Sequence, residues 1–327
     1  MPIMSARTQE NFFEQLGAAS RAAREARGDG EAPPTRPFIM VATDFSATSD
    51  KAIDAATHLA ARVGARLEVV HVLSLAPIAH AELVWVPTPG QMDRMSTEAQ
   101  TSLDEAVARA RKLQPETEIG GSLRAGMLPD ALLDAIEVES PDLVVMGTHG
   151  RGFWSRLVMG SVAHAVNRRS SAPVLTVHDE GIAPKAESVL APVELGRISE
   201  EALDLAAGLA KALRLKLRLL YVFPGADAFD AIGATYDPPI AKASQAQLES
   251  LAGPERRADI EVESVTRFGA AAKEIAVEAD ESNAALVVMG TQRRGIVSRA
   301  IEGSVADDVL RLCPRPVILC RERTPGQ

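Results

Sequence analysis

The 327-residue sequence is poor in aromatic residues and cysteines and contains no long apolar run. Aromatic residues make up 4% of the chain, yet 46% of residues are apolar and 24% are charged, which argues against a wholly disordered or fibrous chain. Cys313 and Cys320 show no CxxC or Cys/His spacing, so neither a metal site nor a disulfide framework is indicated, and a reducing cytosol fits best. No apolar run reaches the roughly 18 residues of a membrane span, and the N-terminus has no apolar signal-peptide core. We therefore expect a cytoplasmic protein that is neither exported nor inserted into a membrane.

Positive charge is in deficit as well. The 35 Lys and Arg residues against 44 Asp and Glu residues give a net charge of −9, which disfavours non-specific binding to nucleic acid or to an anionic membrane. The six histidines are scattered without the spacing of metal ligands, so we expect no metal site. An anionic ligand would need a local binding site.

The two halves of the chain repeat each other. Residues 143–177 and 286–320 are identical at about half of their positions without a gap. Upstream, FIMVATDFS from Phe38 matches SVLAPVELG from Ser188 more weakly. The chain is therefore a tandem duplication.

The duplication sets the predicted domain boundaries at 35–180 for the first copy and 181–323 for the second. Residues 1–34 form a separate N-terminal arm. Within it, residues 11–27 have the pattern of an amphipathic helix, followed by a Gly/Pro linker. A partner-binding arm and a frayed terminus are the two interpretations of this segment.

Each copy alternates strand and helix patterns. In the first copy, strands are predicted at 38–43, 66–72, 118–124, 143–147 and 173–177, and helices at 51–63, 95–113, 129–139 and from residue 161. A polar loop with Pro87, Pro89 and Gly90 precedes the second helix. The second copy offers the same five strands as SVLAPV, LKLRLLYV, IEVESVT, ALVVMG and PVILC. Helix-length crossovers predict an α/β fold, with a doubly wound, five-stranded parallel sheet of order 3-2-1-4-5 in each domain.

A glycine-rich motif follows the fourth predicted strand of the first copy. Gly147, Gly150, Gly160 and Ser161 have the spacing Gly-x2-Gly-x9-Gly-Ser and lead into the last helix. Glycines permit a positive φ and a close approach of backbone to ligand, and the N–H groups and dipole of a helix start favour phosphate. The motif therefore predicts an anion site, with His149 inside the loop as a further phosphate contact. The alternative is a glycine turn that is needed for packing alone.

Asp44 follows the first predicted strand, which lies beside the fourth strand in this order. Ligands of open α/β sheets bind where the strand order reverses, so Asp44 and the glycine loop are expected at the same crevice. A carboxylate there can accept hydrogen bonds from a ribose. Alternatively, Asp44 caps the next helix together with Ser46 and Ser49.

Asp44, the GTHGRG loop and the glycine spacing resemble the universal stress protein family, and the two copies resemble its tandem-domain members. The resemblance covers residues 36–178 and 186–321. It implies flavodoxin-like domains of the adenine nucleotide alpha hydrolase-like type, which bind ATP, alone or with Mg²⁺. Adenine and ribose would lie near Asp44, and the phosphates on the glycine loop. The residues implied in nucleotide binding are Thr43, Asp44, Val72, Met146, Gly147, Gly150, Gly160, Ser161 and Val162, to which His149 is added from the loop.

The second copy departs from this motif. Glu194 replaces Asp44, and Arg293 replaces Gly150. Arg293 would either fill the crevice or pair directly with phosphate. Both outcomes stay open for a second nucleotide site, whose residues would be Glu194, Val222, Gly290, Arg293, Gly303, Ser304 and Val305.

Nothing recognisable in the sequence encodes efficient phosphoryl transfer. It has no Gly-x4-Gly-Lys-Ser/Thr loop, no obvious acidic pair for magnesium and no evident base. We therefore expect a non-enzymatic, ATP-binding universal stress protein that acts in the stress response through nucleotide-dependent conformation or an unknown protein partner. The alternatives are a slow ATPase or nucleotide-processing enzyme using the same crevice, and a nucleotide-free interaction scaffold. The resemblance also implies that the two copies pair through their apolar last strands as an intramolecular pseudo-dimer, while a homodimer stays open.

Overall fold

The computed structural model covers most of both copies. The described residues are 36–74, 78–80, 83–85, 88–148, 159–178, 181–183, 185–195, 199–223, 238–251, 253, 259–291 and 304–321. Contacts divide them into two compact units, which we call the first domain (residues 36–178) and the second domain (residues 181–321). The helix predicted at 11–27 lies outside the described residues.

The first domain alternates strands and helices along the chain. Its strands are β1 (Phe38–Thr43), β2 (Arg66–Ser74), β3 (Ile78–His80), β4 (Leu83–Trp85), β5 (Ile119–Gly126), β6 (Leu143–Gly147) and β7 (Val174–Val177). Its helices are α1 (Ala47–Val63), α2 (Pro89–Leu113), α3 (Asp130–Glu139) and α4 (Ser161–Arg169). Five of the strands form a parallel sheet in the order β5-β2-β1-β6-β7, and β3 pairs with β4 in an antiparallel hairpin. The parallel strands follow the predicted order 3-2-1-4-5.

The second domain repeats this sheet. Its strands are β8 (Ser188–Pro192), β9 (Lys216–Phe223), β10 (Val262–Phe268), β11 (Ala284–Thr291) and β12 (Val317–Arg321). Its helices are α5 (Glu200–Leu213), α6 (Pro238–Leu251), α7 (Ala271–Glu281) and α8 (Ser304–Leu312). The strands are parallel in the order β10-β9-β8-β11-β12. The prediction of two tandem, doubly wound α/β domains is therefore confirmed.

Helices cover both faces of the first sheet, which explains why its central strands β1 and β6 are apolar at successive positions. Helix α1 packs against α2, and α3 packs against α4. Phe38 and Met40 of β1 join side chains of α3 and α4 in one buried cluster. The intervening residues Ile39 and Val41 are also buried. A strand whose two faces are both covered needs apolar side chains throughout rather than at every second position.

Two predicted helix starts are wrong, and the first of these helices, α1, begins at Ala47 rather than at residue 51. The segment with Pro89 and Gly90 is expected from sequence to be a loop, but helix α2 begins at Pro89 rather than near residue 95. Proline suits this first helical position, because the N–H that it lacks would have no acceptor within the helix. The Thr88 N–H also donates to Oε1 of Gln91 at 2.8 Å, which satisfies the backbone at the helix start. The hairpin of β3 and β4 lies in the stretch just before it.

Candidate functional site

The strand order of the first sheet reverses at β1 and β6. Strand β1 pairs with β2 on one side and with β6 on the other. At the carboxyl edge of these strands, β1 ends at Thr43 and β6 ends at Gly147. This is the edge at which open α/β sheets bind their ligands. The structure thus places Asp44 and Gly147, both predicted for the site, at the same edge of the sheet.

Asp44 begins the turn from β1 to α1. Its Oδ1 accepts a hydrogen bond from the backbone N–H of Ser46 at 3.1 Å. Helix α1 is capped by Ser46, whose Oγ accepts from the N–H of Ser49 at 3.2 Å. The capping role considered for Asp44 therefore belongs to Ser46, and Asp44 stays outside the helix at the edge of the sheet.

Thr43 holds the backbone that precedes Asp44. Its buried hydroxyl pairs with the hydroxyl of Ser49 at 3.0 Å and accepts from the N–H of Phe45 at 3.0 Å. Its carbonyl oxygen lies 2.7 Å from Nδ1 of His71 in β2. Because a carbonyl oxygen can only accept, Nδ1 is the donor in this bond. Thr43 therefore ties the turn both to α1 and to the neighbouring strand.

Phe45 adopts a left-handed backbone conformation, with φ of 60°. This conformation is uncommon for a residue with a Cβ. The centroid of its ring lies 4.3 Å from that of His71, and the two planes are tilted by 32°. Neither residue is among those predicted for the site. A signal for His71 was present in the sequence, because Thr43 and His71 both stand near the carboxyl ends of predicted neighbouring strands.

Gly147 ends β6 in close contact with the start of α1. A Cβ built on it would lie 3.0 Å from Cγ2 of Thr48 and 3.3 Å from the backbone nitrogen of Ser49. Its φ is not positive, so the close approach that glycine permits is used here, and its freedom to adopt a positive φ is not. The residue is small because two backbones meet at this point. A packing role therefore applies to Gly147, and it is compatible with a ligand at the same edge.

The two ends of the glycine-rich loop are joined to each other. The N–H of Thr148 donates to the carbonyl of Val177 in β7 at 3.0 Å, and the N–H of Gly160 donates to the carbonyl of Thr148 at 2.8 Å. The loop thus leaves and returns at the carboxyl edge of the sheet. His149 and Gly150 lie outside the described residues.

Helix α4 starts where the loop returns. Gly160 is its N-cap residue, with φ of −61° and ψ of 147°, and it has no side chain that could cap the helix. A bond from the N–H of His164 to the carbonyl of Gly160, 2.9 Å long, opens the helix. The earlier amides, those of the exposed Ser161 and of Val162, have no acceptor within the helix. Such amides, together with the helix dipole, stabilise an anion.

Three of the predicted residues contribute their side chains to the core. Val72 and Met146 are 7% and 6% exposed, and both belong to the buried cluster of α3 and α4. Val162 is partly buried against the same cluster. The side chains of Val72 and Met146 are therefore used for packing in the core.

The corresponding turn of the second domain is built differently. Helix α5 is capped by Ser199, whose Oγ accepts from the N–H of Ala202 at 3.3 Å. In the repeat, Ser199 aligns with Ser49, one helical turn beyond the Ser46 cap of the first domain. Gly196 stands at the Ser46 position and has no side-chain oxygen that could cap the helix. The helix consequently begins later in this copy.

Glu194, at the Asp44 position, is exposed. The pKa of Tyr221 in β9 is raised, first by burial and then by the negative charge of Glu194. Tyr221 aligns with His71 of the first domain, and its neighbour Val222 is partly buried. A carboxylate and a phenol therefore replace the carboxylate and imidazole of the first domain.

Gly290, near the end of β11, repeats the close packing of the fourth parallel strand. A Cβ there would lie 2.7 Å from Oγ of Ser199. Helix α8 begins at Ser304, and the following Val305 is 41% exposed. The two other residues predicted for a second site, Arg293 and Gly303, lie outside the described part of the chain.

Within the described ranges, no group of three or more His, Cys, Asp or Glu side chains is placed to hold a metal ion. None of the described helices has the length and apolar character needed to cross a membrane.

Comparison with known proteins gives one consistent result. Residues 38–178 and residues 185–321 each match the profile of the Universal stress protein family. A universal stress protein of Mycobacterium tuberculosis is 28% identical over 295 residues, which cover 87% of this chain and 97% of that protein. One from Mycolicibacterium smegmatis is 27% identical over 293 residues, which cover 87% of this chain and 97% of that protein. The solved structure of a universal stress protein from Archaeoglobus fulgidus matches with a TM-score of 0.67 and 21% identity, and the match covers 87% of this chain and 98% of that chain. The two proteins therefore share the same fold.

Proposed function

The chain belongs to the universal stress protein family, and from this premise we propose that its first domain binds ATP at the carboxyl edge between β1 and β6. One observation carries the proposal. The bond from the Gly160 N–H to the Thr148 carbonyl returns the start of α4 to the edge at which Asp44 lies. A nucleotide needs both features, because helix-start amides stabilise phosphate and a carboxylate accepts hydrogen bonds from ribose hydroxyls.

Each predicted residue has a role in this proposal. The ribose hydroxyls donate to Asp44, and the phosphate oxygens accept from the amides of Ser161 and Val162. Mg²⁺ can accompany ATP through the phosphate oxygens themselves. The remaining first-domain residues supply backbone groups, close packing or the loop itself: Thr43, Val72, Met146, Gly147, His149, Gly150 and Gly160.

We propose that the second domain carries an altered copy of this site. Its Glu194 is exposed, and α5 begins one turn later than α1 does. Arg293 takes the place of the middle glycine. If Arg293 obstructs the crevice, Arg293→Gly will strengthen nucleotide binding by this domain, and if Arg293 pairs with phosphate, the same change will weaken it.

ATP is proposed to act by holding a conformation or an interface of a cytoplasmic stress-response protein, and not by being turned over. Such a switch requires ATP to bind two states of the protein with different affinity. An intramolecular pseudo-dimer, further association into a homodimer and an unidentified protein partner belong to the same proposal.

Calorimetric titration with ATP, combined with mass spectrometry of nucleotide that co-purifies with the protein, tests the proposal. We expect tight binding in the first domain that Asp44→Ala and Gly160→Val both weaken, since a branched side chain at Gly160 would cover the helix-start amides. Glu194→Ala, at the matching position of the second domain, is the control. ATP at 100 times its Kd should stabilise the protein by about 2.7 kcal/mol.

Two results would favour the alternatives. Absence of co-purified nucleotide, together with no thermal shift in millimolar ATP, would support a nucleotide-free scaffold. Conversion of ATP to a product by the purified protein, abolished by Asp44→Ala, would support a slow ATPase or another nucleotide-processing enzyme.

A further inference from the structure

We propose that His71 is a positioning residue, which holds the turn carrying Asp44 in the shape that hydrogen-bonds a ribose. The inference rests on the ATP site proposed above. His71 lies in β2, directly opposite Thr43 in the strand register. It contacts the turn in two ways, through the backbone of Thr43 and through the ring of Phe45.

The first contact fixes a peptide plane. The Nδ1–H of His71 donates to the carbonyl oxygen of Thr43 at 2.7 Å. That carbonyl belongs to the same planar peptide unit as the backbone nitrogen of Asp44. The bond therefore sets the orientation in which the chain enters Asp44. It also fixes the tautomer of the neutral ring, with the proton on Nδ1.

The second contact fixes the residue that follows Asp44. Phe45 is left-handed, with φ of 60°, and a residue with a Cβ keeps this conformation when its surroundings determine it. Its ring lies against the imidazole, and its N–H donates to the hydroxyl of Thr43 at 3.0 Å. The left-handed step brings the N–H of Ser46 back to Oδ1 of Asp44 at 3.1 Å. Asp44 is thus fixed on both sides in sequence.

The second domain provides an internal comparison. Tyr221 aligns with His71, and Leu195 aligns with Phe45. Leu195 is not among the described residues with positive φ, and Glu194 is exposed. The imidazole contact and the left-handed turn therefore occur together in one copy, whereas the other copy has neither a histidine nor a left-handed residue at these positions.

Amide hydrogen exchange of the ligand-free protein, followed by NMR, tests the proposal without nucleotide. His71→Leu keeps an apolar side chain but removes the donor. We expect the amides of Phe45 and Ser46 to exchange about tenfold faster in this variant, the size expected for one lost hydrogen bond. His71→Asn should restore most of the protection, because its Nδ2 can donate from the place of Nδ1. Exchange rates that His71→Leu leaves unchanged would overturn the proposal.

Binding of ATP and of 2′-deoxy-ATP provides a second readout, followed through the first-domain amide signals of Gly160 and Val162. We expect the wild type to prefer ATP about tenfold, and His71→Leu and Asp44→Ala to lose this preference. His71→Asn should recover it. A merely structural role of His71 would weaken both ligands alike and leave their ratio intact, which contradicts the proposal.

Tyr221→Leu is the matched control, and it should leave both first-domain readouts unchanged. If His71→Leu does not fold, His71→Gln serves in its place, because it keeps a polar side chain but has no donor at the position of Nδ1. A wild-type protein that binds neither nucleotide would refute the ATP site. In that case the exchange rates still decide whether His71 holds the turn.

Discussion

The backbone of Gly147 lies so close to Thr48 that a Cβ at Gly147 would stand 3.0 Å from Cγ2 of Thr48. In the second domain, a Cβ at Gly290 would stand 2.7 Å from Oγ of Ser199. Both glycines lie in the fourth parallel strand of their sheet, and both face the start of the helix that follows the first strand. The duplicated fold therefore needs a glycine at this crossing whether or not the copy binds a ligand.

Alanine at either glycine should destabilise its own domain by about 1–3 kcal/mol, the usual cost of overpacking. We expect Gly290→Ala to cost more than Gly147→Ala, because its Cβ would be closer to a neighbouring atom. Urea denaturation measures the difference. Gly90→Ala is the control, since a Cβ at that position in α2 meets nothing within 4 Å. If Gly147→Ala proves as harmless as Gly90→Ala, the packing explanation is wrong.

The sheet could be predicted because its central strands β1, β6 and β11 are apolar runs and because helix-length segments separate successive parallel strands. The predicted and observed limits of β1 coincide at Phe38–Thr43. The hairpin could not be predicted in this way, since β3 and β4 have three residues each and show no periodicity. Pro89 signalled the early start of α2, because proline disrupts the interior of a helix but is favoured in its first turn.

The position of Asp44 at the carboxyl edge of the sheet could be predicted, because it depends on strand order alone. The shape of its turn could not. The left-handed φ of Phe45 depends on the ring of His71 and on the hydroxyl of Thr43, so it depends on contacts between two strands. The later start of α5 follows from the missing cap oxygen at Gly196, a difference that is visible in the sequence once the repeat is aligned.

Glu68 of β2 is a half-buried carboxylate beside Gly120 of β5, where a Cβ would lie 2.5 Å from its Oε2. Burial raises the pKa of Glu68, and the charge of Glu139 raises it further, while Arg66 and Arg124 lower it. A carboxyl group whose pKa is raised by folding contributes to stability, and this contribution is complete at pH values below the pKa of the group in the unfolded chain. This contribution is lost as the pH rises through the folded pKa.

Glu68→Gln should therefore stabilise the first domain at pH 7, by less than about 1 kcal/mol because the side chain is partly solvated. At pH 4, where the carboxyl of the wild type is mostly protonated, the gain should vanish. Urea denaturation at the two pH values measures both quantities. A loss of stability at pH 7 would mean that the attraction of Arg66 and Arg124 outweighs the cost of burial.

Glu278 of α7 is 3% exposed and lies between two arginines of the second sheet. Its Oε1 accepts from Nε of Arg218 at 2.6 Å, and its Oε2 pairs with Arg267. We expect Glu278→Gln to destabilise the second domain by about 2–4 kcal/mol, because it leaves two partly buried guanidinium groups without this carboxylate. Glu281→Gln is the matched control, since Glu281 also pairs with Arg267, at 2.8 Å, but is 63% exposed. It should cost less than about 1 kcal/mol, and equal effects of the two changes would show that burial does not govern this network.

Cys313 and Cys320 are 2% and 3% exposed, and both lie in the second domain. Burial raises the pKa of the Cys313 thiol to about 11, and it also raises the pKa of Cys320. Since the thiolate is the reactive form, Cys313 should carry roughly 100-fold less thiolate at pH 8 than an unperturbed cysteine. We expect iodoacetamide to label the native protein at the rate at which the second domain opens, and to label it at the rate of a free thiol in urea. Neither cysteine lies in the first domain, so ATP that binds to the first domain alone should leave the labelling rate unchanged. Slower labelling in the presence of ATP would show that the second domain binds nucleotide or is coupled to the first. Labelling of the native protein as fast as in urea would contradict the buried, protonated state of both thiols.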